Sequence, residues 1–452
     1  MSTAHESKVI AMRRNPTTQS VSRPMSRRSF VWTAGSLGIA ASLLLQGCGS
    51  GSDSGSDDGT VELTFMNQSR GQEAALNALA KQYTKETGIV VKVESPGPSD
   101  YLAKLQAKAQ SRNMPDVYSS FLAVDMAPFY KAGWAMNLEP ELKGAWGDQF
   151  APGVVEQSAF IKDNNLDVPP GIYSAHWETQ SYGLILDPAR TKIDPKAPPK
   201  TMDDLITALK ASNKDGKGNF SVASSLTPAL IQQFASNWLT DQQISDTFAG
   251  KSSWKSDGWR KAFQLLLDLK KAGVISNGAL PGGQGDNPAV ETSFFNKREV
   301  GAIFDASAGV SVGKRTAPNY TDYASMPLPA ASDATLAPRS PGVPGKGAVV
   351  NPRGKHPKEA LAFVKWLTMP EQQKVFAEEA RIVPTSKELL AGGSLPAQLT
   401  GFAAATENQQ KVTNSLTPDV NAALTRDTQS LVLGEKTVDQ ILDDLQSAQE
   451  RG

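Results

Sequence analysis

The chain has 452 residues, its 46 Lys and Arg are matched by 46 Asp and Glu, and its single cysteine is Cys48. Balanced charge with no basic block after the N-terminus argues against nucleic-acid binding. A single cysteine excludes an intramolecular disulfide and a site built from several thiolates.

The first 47 residues have the organisation of an export signal. An Arg-Arg pair at positions 27–28 precedes an apolar run over residues 30–45, and the run ends in the tetrapeptide Leu-Gln-Gly-Cys at Cys48. A membrane-spanning helix needs ~20 predominantly apolar residues, whereas this run is shorter and contains Thr, Ser and Gly. Residues 1–47 are therefore predicted to be a signal, with Met1, Met12 and Met25 as alternative starts.

Two details of this segment resemble known signals. The arginine pair resembles a twin-arginine translocation signal, and the tetrapeptide resembles the lipobox of bacterial lipoproteins. The second resemblance implies that Cys48 carries a lipid such as palmitate and anchors the chain to the extracytoplasmic face of the cell membrane. Residues 48–60 would then be the lipidated cysteine and a flexible tether, because residues 49–59 are all Gly, Ser or Asp. Removal of residues 1–47 leaves 40 basic and 45 acidic residues, a net charge of −5.

The mature chain begins with strands that alternate with helices. Residues 61–65 alternate apolar and polar side chains as a half-buried strand does. A helix follows, with Leu76, Leu79, Ala80 and Tyr83 on one stripe and Gly88 as its C-terminal cap. Residues 89–93 and 116–118 read as strands, and residues 101–109 and 127–132 as helices. This alternation predicts an α/β protein with parallel sheets, and the length of the chain predicts two lobes.

A series of short motifs extends through nearly the whole mature chain. They occupy, in order, residues 63–65, 87–91, 115–118, 131–134, 137–138, 171–173, 182–187, 198–205, 295–297, 326–329, 360–367, 384–385 and 433–439. Their order and spacing resemble the extracellular solute-binding proteins of ABC importers, specifically the sugar-binding group that includes maltodextrin-binding proteins. Many of these positions also have a purely structural role; Thr201 and Thr437, for example, each begin a capping box at a helix start.

The resemblance implies the two-lobe, type II-like periplasmic-binding-protein fold, with the ligand in a cleft between the lobes and several crossover segments. Lobe 1 would comprise residues 61–177 and about 345–395, and lobe 2 residues 178–344 and about 396–452. The chain would cross near 177–180, return near 342–347 and cross again after Thr385. Residues 341–345 have the Pro and Gly content of a turn or hinge. Ligand would favour the closed form because it contacts both lobes only there.

Sugar binding requires aromatic faces for the apolar side of the ring, and amides, carboxylates and guanidinium groups for the hydroxyls. In α/β proteins such groups collect where strands end. The candidate ligand-binding residues are Asn67, Gln68, Gln72, Ser119, Ser120 and Asp125 in the first lobe; Tyr173, Trp177 and Glu178 at the first crossover; Trp238, Asp305 and Ser307 in the second lobe; and Arg381 near the late crossing.

Other aromatic residues have structural interpretations. Trp134 is expected to be a core residue, and Trp254 and Trp259 are expected to cover the surface of a Lys- and Asp-rich helix. Met66 and Ala308 stand where the family often has tryptophan. These departures weaken any transfer of maltodextrin specificity, so a smaller or differently shaped sugar, or a sugar derivative, is a further expectation.

The resemblance implies a lipoprotein that delivers a sugar or oligosaccharide to the transmembrane subunits of an ABC permease, acting as a monomer without a cofactor, a metal or enzymatic turnover. Two alternatives stay open: a binding protein for a non-sugar cargo such as iron, phosphate or a polyamine, and a lipid-anchored glycan-acting enzyme that uses two carboxylates. Motifs for the common hydrolases and nucleotide-binding proteins are missing. The mature histidines are His176 and His356, and His176 is interpreted as a hydrogen-bonded neighbour of the hinge.

Overall fold

The computed structural model describes residues 60–451 apart from positions 98, 152, 214, 277–285 and 393–394. The predicted signal, the predicted lipidation site at Cys48 and residues 49–59 of the predicted tether lie outside the described residues. The described residues form one compact unit.

The strands are short and belong to two principal sheets and two small ribbons. In chain order they are β1 (Glu62–Met66), β2 (Val90–Glu94), β3 (Val117–Ser119), β4 (Ala159–Phe160), β5 (Gly171–Ile172), β6 (Ala175–His176), β7 (Thr179–Gln180), β8 (Tyr182–Leu186), β9 (Phe220–Val222), β10 (Ala302–Ala306), β11 (Ala324–Met326), β12 (Val343–Pro344) and β13 (Gly347–Val350).

Helices surround the sheets, and one 3₁₀ turn covers Ser224–Leu226. The first ten are α1 (Glu73–Thr87), α2 (Tyr101–Gln110), α3 (Ala123–Lys131), α4 (Glu139–Leu142), α5 (Ala145–Asp148), α6 (Val154–Gln157), α7 (Pro188–Thr191), α8 (Met202–Ser212), α9 (Thr227–Ala235) and α10 (Asp241–Phe248). The others are α11 (Asp257–Lys271), α12 (Asn287–Phe295), α13 (Ala308–Thr316), α14 (Pro357–Leu367), α15 (Pro370–Ala380), α16 (Lys387–Gly392), α17 (Ala397–Glu407), α18 (Pro418–Leu433) and α19 (Val438–Arg451).

Local sequence signals account for many of these elements. The predicted apolar stripe of α1 is buried, and Gly88 ends the helix with φ of 76°, the left-handed conformation that glycine adopts without steric cost. Both predicted capping boxes are present, at Thr201 and at Thr437. The first strand was also predicted correctly within one residue.

The first sheet has the strand order β2-β1-β3-β13-β6. Its strands alternate between two apolar clusters: Phe65 and Val117 belong to one cluster, whereas Met66 and Tyr118 belong to the other. Because neighbouring residues of a strand point to opposite faces, both faces of this sheet are covered. The sheet and the elements packed on it form the first lobe.

The second sheet has the order β11-β8-β10-β9 and forms the second lobe with its helices. Its strands alternate in the same way, since Leu184 and Phe304 lie in one apolar cluster and Ile185 and Ile303 in another. The C-terminal helices α18 and α19 contribute Leu431 and other residues to the larger cluster.

The prediction of parallel sheets is wrong for one strand of each principal sheet. In the first sheet β13 runs antiparallel to both its neighbours, and in the second sheet β8 does. Each of these strands comes directly from a segment that crosses between the lobes, without an intervening helix. A strand that enters from the other lobe runs opposite to strands that are returned to the sheet by helices of the same lobe.

The segments that connect the lobes lie side by side. Strand β7, which leads from the first sheet to the second, pairs with β12, which leads back. Glu178 forms an isolated bridge with Pro384, in the segment between α15 and α17. At the return crossing, a methyl group on Gly345 would lie 2.2 Å from the Glu178 carbonyl oxygen, so the segments approach more closely than a side chain permits. The residue ranges assigned to the two lobes from the sequence remain a prediction.

The two tryptophans expected on the surface of a charged helix are instead core residues. Trp254 is fully buried and precedes α11, and Trp259 is fully buried within it. Their rings lie 4.5 Å apart, and the Trp259 indole donates to Thr247 Oγ1 at 3.2 Å. The Lys and Asp residues occupy only the outer face of the helix. Their number in the sequence gives no sign that the opposite face is buried in the core. Trp134, expected in the core, is half-buried under the guanidinium of Arg353.

Candidate functional site

The first wall of the candidate site lies at the carboxyl ends of β1 and β3. These strands pair in parallel, so the turns that follow them meet at one edge of the sheet. The backbone N–H of Gln68 donates to Ser119 Oγ at 2.9 Å, and the N–H of Ser69 donates to Asn67 Oδ1 at 2.8 Å. Asn67, Gln68, Ser119 and the adjacent Ser120 are all buried.

The first crossing adds a hydrogen-bonded triplet. Trp177 Nε1 donates to Gln72 Oε1 at 2.7 Å, and Gln72 Nε2 donates to Glu178 Oε2. All three residues are fully buried. The indole ring stacks on Phe376 with centroids 5.2 Å apart, so one of its faces is covered by protein. Trp177 therefore positions Gln72, and Gln72 in turn positions the carboxylate.

Burial dominates the electrostatics of Glu178. Desolvation raises the pKa of Glu178 to about 7, and the charge of Lys346 and the hydrogen bond from Gln72 offset part of that rise. Lys346 Nζ donates to Gln68 Oε1 at 3.2 Å, and desolvation lowers the pKa of Lys346. The crossing segments thus bring one acid and one base beside the first wall.

The second wall lies at the end of β10. Asp305 Oδ1 accepts from the backbone N–H of Ala306 at 2.7 Å and from Asn287 Nδ2 at 3.1 Å. Asp305 is fully buried, and desolvation together with the charge of Glu291 raises the pKa of Asp305. Ser307 is also buried, directly before α13.

A bidentate ion pair joins the two walls. Arg70 follows β1, and its Nη1 and Nη2 donate to Glu291 Oε2 and Oε1 at 2.9 and 3.1 Å. Glu291 lies on α12, which packs against the second sheet. The arginine of one lobe is therefore held by a carboxylate of the other.

Several side-chain atoms at these walls are shielded from solvent and have no hydrogen-bond partner among the described residues. They are Ser69 Oγ, Ser120 Oγ, Glu178 Oε1, Asn287 Oδ1, Asp305 Oδ2 and Ser307 Oγ. A buried polar atom without a partner costs about 1–3 kcal/mol. Hydroxyl groups of a ligand would satisfy such atoms, and both lobes contribute them.

The structure therefore assembles most of the candidate residues chosen from the sequence and leaves four outside the contacts described above. Asp125 is half-buried in the first turn of α3, where desolvation raises its pKa. Tyr173 stacks on Tyr130, and Trp238 donates to the Asp333 carbonyl at 3.1 Å. Arg381 Nη1 donates to Gln398 Oε1 at 3.0 Å. His176 is hydrogen-bonded to Ser174 and to the Gly345 carbonyl, as expected for a neighbour of the hinge.

Four polar residues of the site were not found from the sequence. Arg70 and Lys346 are close in the sequence to predicted site or hinge residues. That proximity is the one sequence feature that could have identified them. Asn287 and Glu291 are four residues apart on α12 and thus share a face, but nothing local indicates that this face meets the other lobe. Phe121 was also missed: it is 38% exposed and directly follows Ser120.

The fold and site define a two-lobed α/β binding protein with a polar interface between its lobes. Residues 67–374, more than half of the chain, match the model of the bacterial extracellular solute-binding protein family. The chain belongs to this family.

Known proteins of this kind resemble the chain along most of its length. It is 24% identical over 387 residues to the maltooligosaccharide ABC transporter solute-binding lipoprotein of Streptococcus pneumoniae serotype 4 (strain ATCC BAA-334 / TIGR4), covering 79% of this chain and 82% of that protein. The corresponding protein of Streptococcus pneumoniae (strain ATCC BAA-255 / R6) is 23% identical over 374 residues, covering 77% and 78%.

A solved structure shows the same fold. The solute-binding protein from Thermotoga lettingae TMO, bound with alpha-D-tagatose, superposes with a TM-score of 0.72 at 19% identity, covering 86% of this chain and 99% of that one. Among the helices that the structure describes, none is both long and apolar enough to cross a membrane.

Proposed function

We propose that this chain is the extracytoplasmic binding component of an ABC importer and that it takes a sugar or oligosaccharide between its lobes. The observation that carries the proposal is the pair of polar walls. Buried oxygens of Ser120 and Glu178 on one side, and of Asp305 and Ser307 on the other, have no hydrogen-bond partner within the described part of the chain. A ligand with several hydroxyl groups would contact both walls at once, and would therefore favour the closed form.

The chemistry of these walls suits a neutral polyhydroxylated ligand. Amides, hydroxyls and carboxylates dominate, and they accept or donate single hydrogen bonds in several directions. The cations Arg70 and Lys346 already have partners in Glu291 and Gln68. That arrangement leaves acceptors for sugar hydroxyls, and the described residues of the two walls do not offer the free donor cluster that a phosphate requires.

The relatives support the same assignment. The named relatives are lipoproteins for maltooligosaccharides, and tagatose occupies the structural neighbour. These proteins are transport components, which favours binding without turnover over the glycan-acting enzyme. The permease subunits of an ABC transporter would be the partner, and a monomer is proposed as the working form. Lobe 1 would comprise residues 61–177 and about 345–395, and lobe 2 residues 178–344 and about 396–452.

Export and anchoring form the second part of the proposal. The arginine pair at 27–28 would direct the chain to the twin-arginine route, and lipid on Cys48 would hold it at the membrane. Residues 49–59, all Gly, Ser or Asp, would act as the tether. Cys48→Ser is expected to release the protein from the membrane fraction or to block its processing. Processed Cys48→Ser protein that still sediments with membranes would contradict the lipid anchor.

Binding is tested by thermal shift and tryptophan fluorescence on residues 49–452 with maltotriose, chitobiose, xylotriose and D-tagatose. A sugar that binds the native state raises its stability by RT ln(1 + [L]/Kd), so at least one is expected to raise the melting temperature. The same samples are assayed for release of reducing sugar from oligosaccharides. Turnover at catalytic rates would favour the enzyme, and a shift only with ferric citrate, phosphate or spermidine would favour a non-sugar cargo.

A further inference from the structure

The ion pair between Arg70 and Glu291 lies where the two lobes meet. The side chain of Glu291 is 2% exposed and that of Arg70 is 21% exposed, so water screens their attraction less than at an open surface. Both Nη atoms of the guanidinium donate to the carboxylate, and this bidentate geometry fixes the relative position of the two groups. Because the partners belong to different lobes, the pair requires the lobes to be together.

The same carboxylate belongs to a chain of hydrogen bonds that ends in the binding site. Asn287 Nδ2 lies 3.2 Å from Glu291 Oε1 and 3.1 Å from Asp305 Oδ1. Asp305 is thereby held by one oxygen, while its Oδ2 has no partner among the described residues. The side chains of Arg70, Glu291, Asn287 and Asp305 thus form one network from the first lobe to an acceptor in the second.

The backbones are also close at this point of the interface. A methyl group on Gly71 would lie 2.7 Å from the backbone carbon of Ser311 in α13, and φ of Gly71 is 80°. At the first residue of α1, Glu73 Oε2 lies 3.8 Å from Nε of Arg315, one turn beyond Ser311 in α13. A change of one or two ångströms between the lobes would therefore separate Arg70 from Glu291.

We propose that Arg70 and Glu291 act as an interlobe latch: the pair holds the closed conformation, and through Asn287 it keeps Asp305 oriented toward the ligand. Both are positioning residues, and they set how slowly the ligand leaves. This inference rests on the proposed function, to which it adds the residues that control ligand release. A ligand held in the cleft leaves only after the lobes separate, so loss of the latch accelerates dissociation more than it changes association.

The unequal burial of the partners predicts unequal effects of removing them. Arg70→Met leaves the Glu291 carboxylate nearly buried and unpaired, which strongly disfavours the closed form. Glu291→Gln retains an acceptor for Asn287 and leaves only the more exposed guanidinium without a counter-ion. Dissociation is expected to become on the order of a hundredfold faster in Arg70→Met and roughly tenfold faster in Glu291→Gln.

The experiment uses the full chain purified in detergent, with maltotriose as the ligand and stopped-flow tryptophan fluorescence as the measurement. The control variant is Asp241→Asn, which breaks a pair of the same length within the second lobe: Arg339 Nε lies 2.9 Å from Asp241 Oδ1, with exposures of 15% and 24%. This control is expected to lower the melting temperature without changing the dissociation rate. Asn287→Ala, which leaves the latch and frees Asp305, is expected to weaken binding.

Hydrogen exchange of the ligand-free chain provides a second measurement. Amides of residues 69–73 and 308–311 are expected to exchange faster in Arg70→Met than in the unmodified chain or in Asp241→Asn. Unchanged dissociation in both latch variants, or acceleration by Asp241→Asn to the same degree, overturns the latch. If the unmodified chain binds no sugar of the panel, the proposed function fails, and the exchange result alone decides whether the latch exists.

Discussion

Trp177 and Gln72 are joined by a hydrogen bond of 2.7 Å from the indole Nε1 to the amide Oε1, although 105 residues separate them. The indole ring lies flat on Phe376 with an interplanar angle of 10°. The amide Nε2 of Gln72 in turn donates a hydrogen bond to the carboxylate of Glu178 and fixes its position. The indole N–H of Trp177 thus holds Gln72, while Phe376 covers one face of the ring.

Trp177→Phe is expected to weaken ligand binding because it keeps the ring on Phe376 and removes the donor to Gln72. The loss of a buried hydrogen bond should also lower the free energy of unfolding by about 1–3 kcal/mol. Trp146→Phe is the matched control, since its indole donates to Thr368 Oγ1 at 2.9 Å within the same lobe. Denaturant unfolding should detect both losses, whereas titration with sugar should detect only the first. Equal weakening of binding by the control would contradict the role of Trp177.

The pKa of Glu178, raised by burial to about 7, predicts a pH-dependent effect of Glu178→Gln. A group whose folded pKa is raised stabilises the fold at low pH, and that stability is lost as pH rises through the folded pKa. Replacing Glu178 with a neutral amide removes this loss. The free energy of unfolding of the variant should therefore increasingly exceed that of the unmodified chain between pH 5 and pH 8, by up to about 3 kcal/mol. Its melting temperature should rise relative to the unmodified chain over the same range.

The same variant should bind sugar less well, because an amide replaces a charged acceptor. Glu156→Gln, at an exposed position, is the control and should bind sugar as well as the unmodified chain does. A constant difference between the Glu178→Gln variant and the unmodified chain from pH 5 to pH 8 would show that the carboxyl group does not titrate in this range.

Phe121→Ala is expected to weaken sugar binding about tenfold, since an aromatic ring packs against the apolar face of a sugar. Phe121 is the one aromatic residue among the large apolar side chains that the described part of the chain leaves more than a third exposed. Leu122→Ala is the control at the neighbouring exposed position. Calorimetric titration of both variants and of Phe121→Trp distinguishes the outcomes: the tryptophan should restore affinity, and equal losses in the two alanine variants would exclude a specific role of the ring.

Gly345→Ala is expected to destabilise the fold by about 1–3 kcal/mol, because the new methyl would meet the Glu178 carbonyl oxygen at the crossing. Gly144→Ala is the control, since no atom lies within 4 Å of the corresponding methyl position. Chemical denaturation gives both values. A Gly345→Ala variant as stable as the control would show that the crossing segments can separate without cost.

Local structure in this chain could be predicted from local sequence. The stripe of α1, its glycine cap and the boxes at Thr201 and Thr437 depend on residues within a few positions of one another, so spacing alone identifies them. The ends of β1 and β3 could be recognised as a polar wall for the same reason. The burial of Trp254 and Trp259 could not be predicted in this way, because the local sequence of an apolar helix face does not indicate how much protein covers it.

By itself, the sequence determined the secondary-structure pattern, the two-lobed family architecture and the turns that would carry polar groups, because these depend on periodicity, caps and motif order. Only the tertiary structure decided which polar groups meet. Arg70 and Glu291 are 221 positions apart, and their contact depends on how two separate sheets approach across three short segments. Tertiary packing also decided that one face of the Trp177 ring is covered by Phe376, which lies far from it in the chain, on α15.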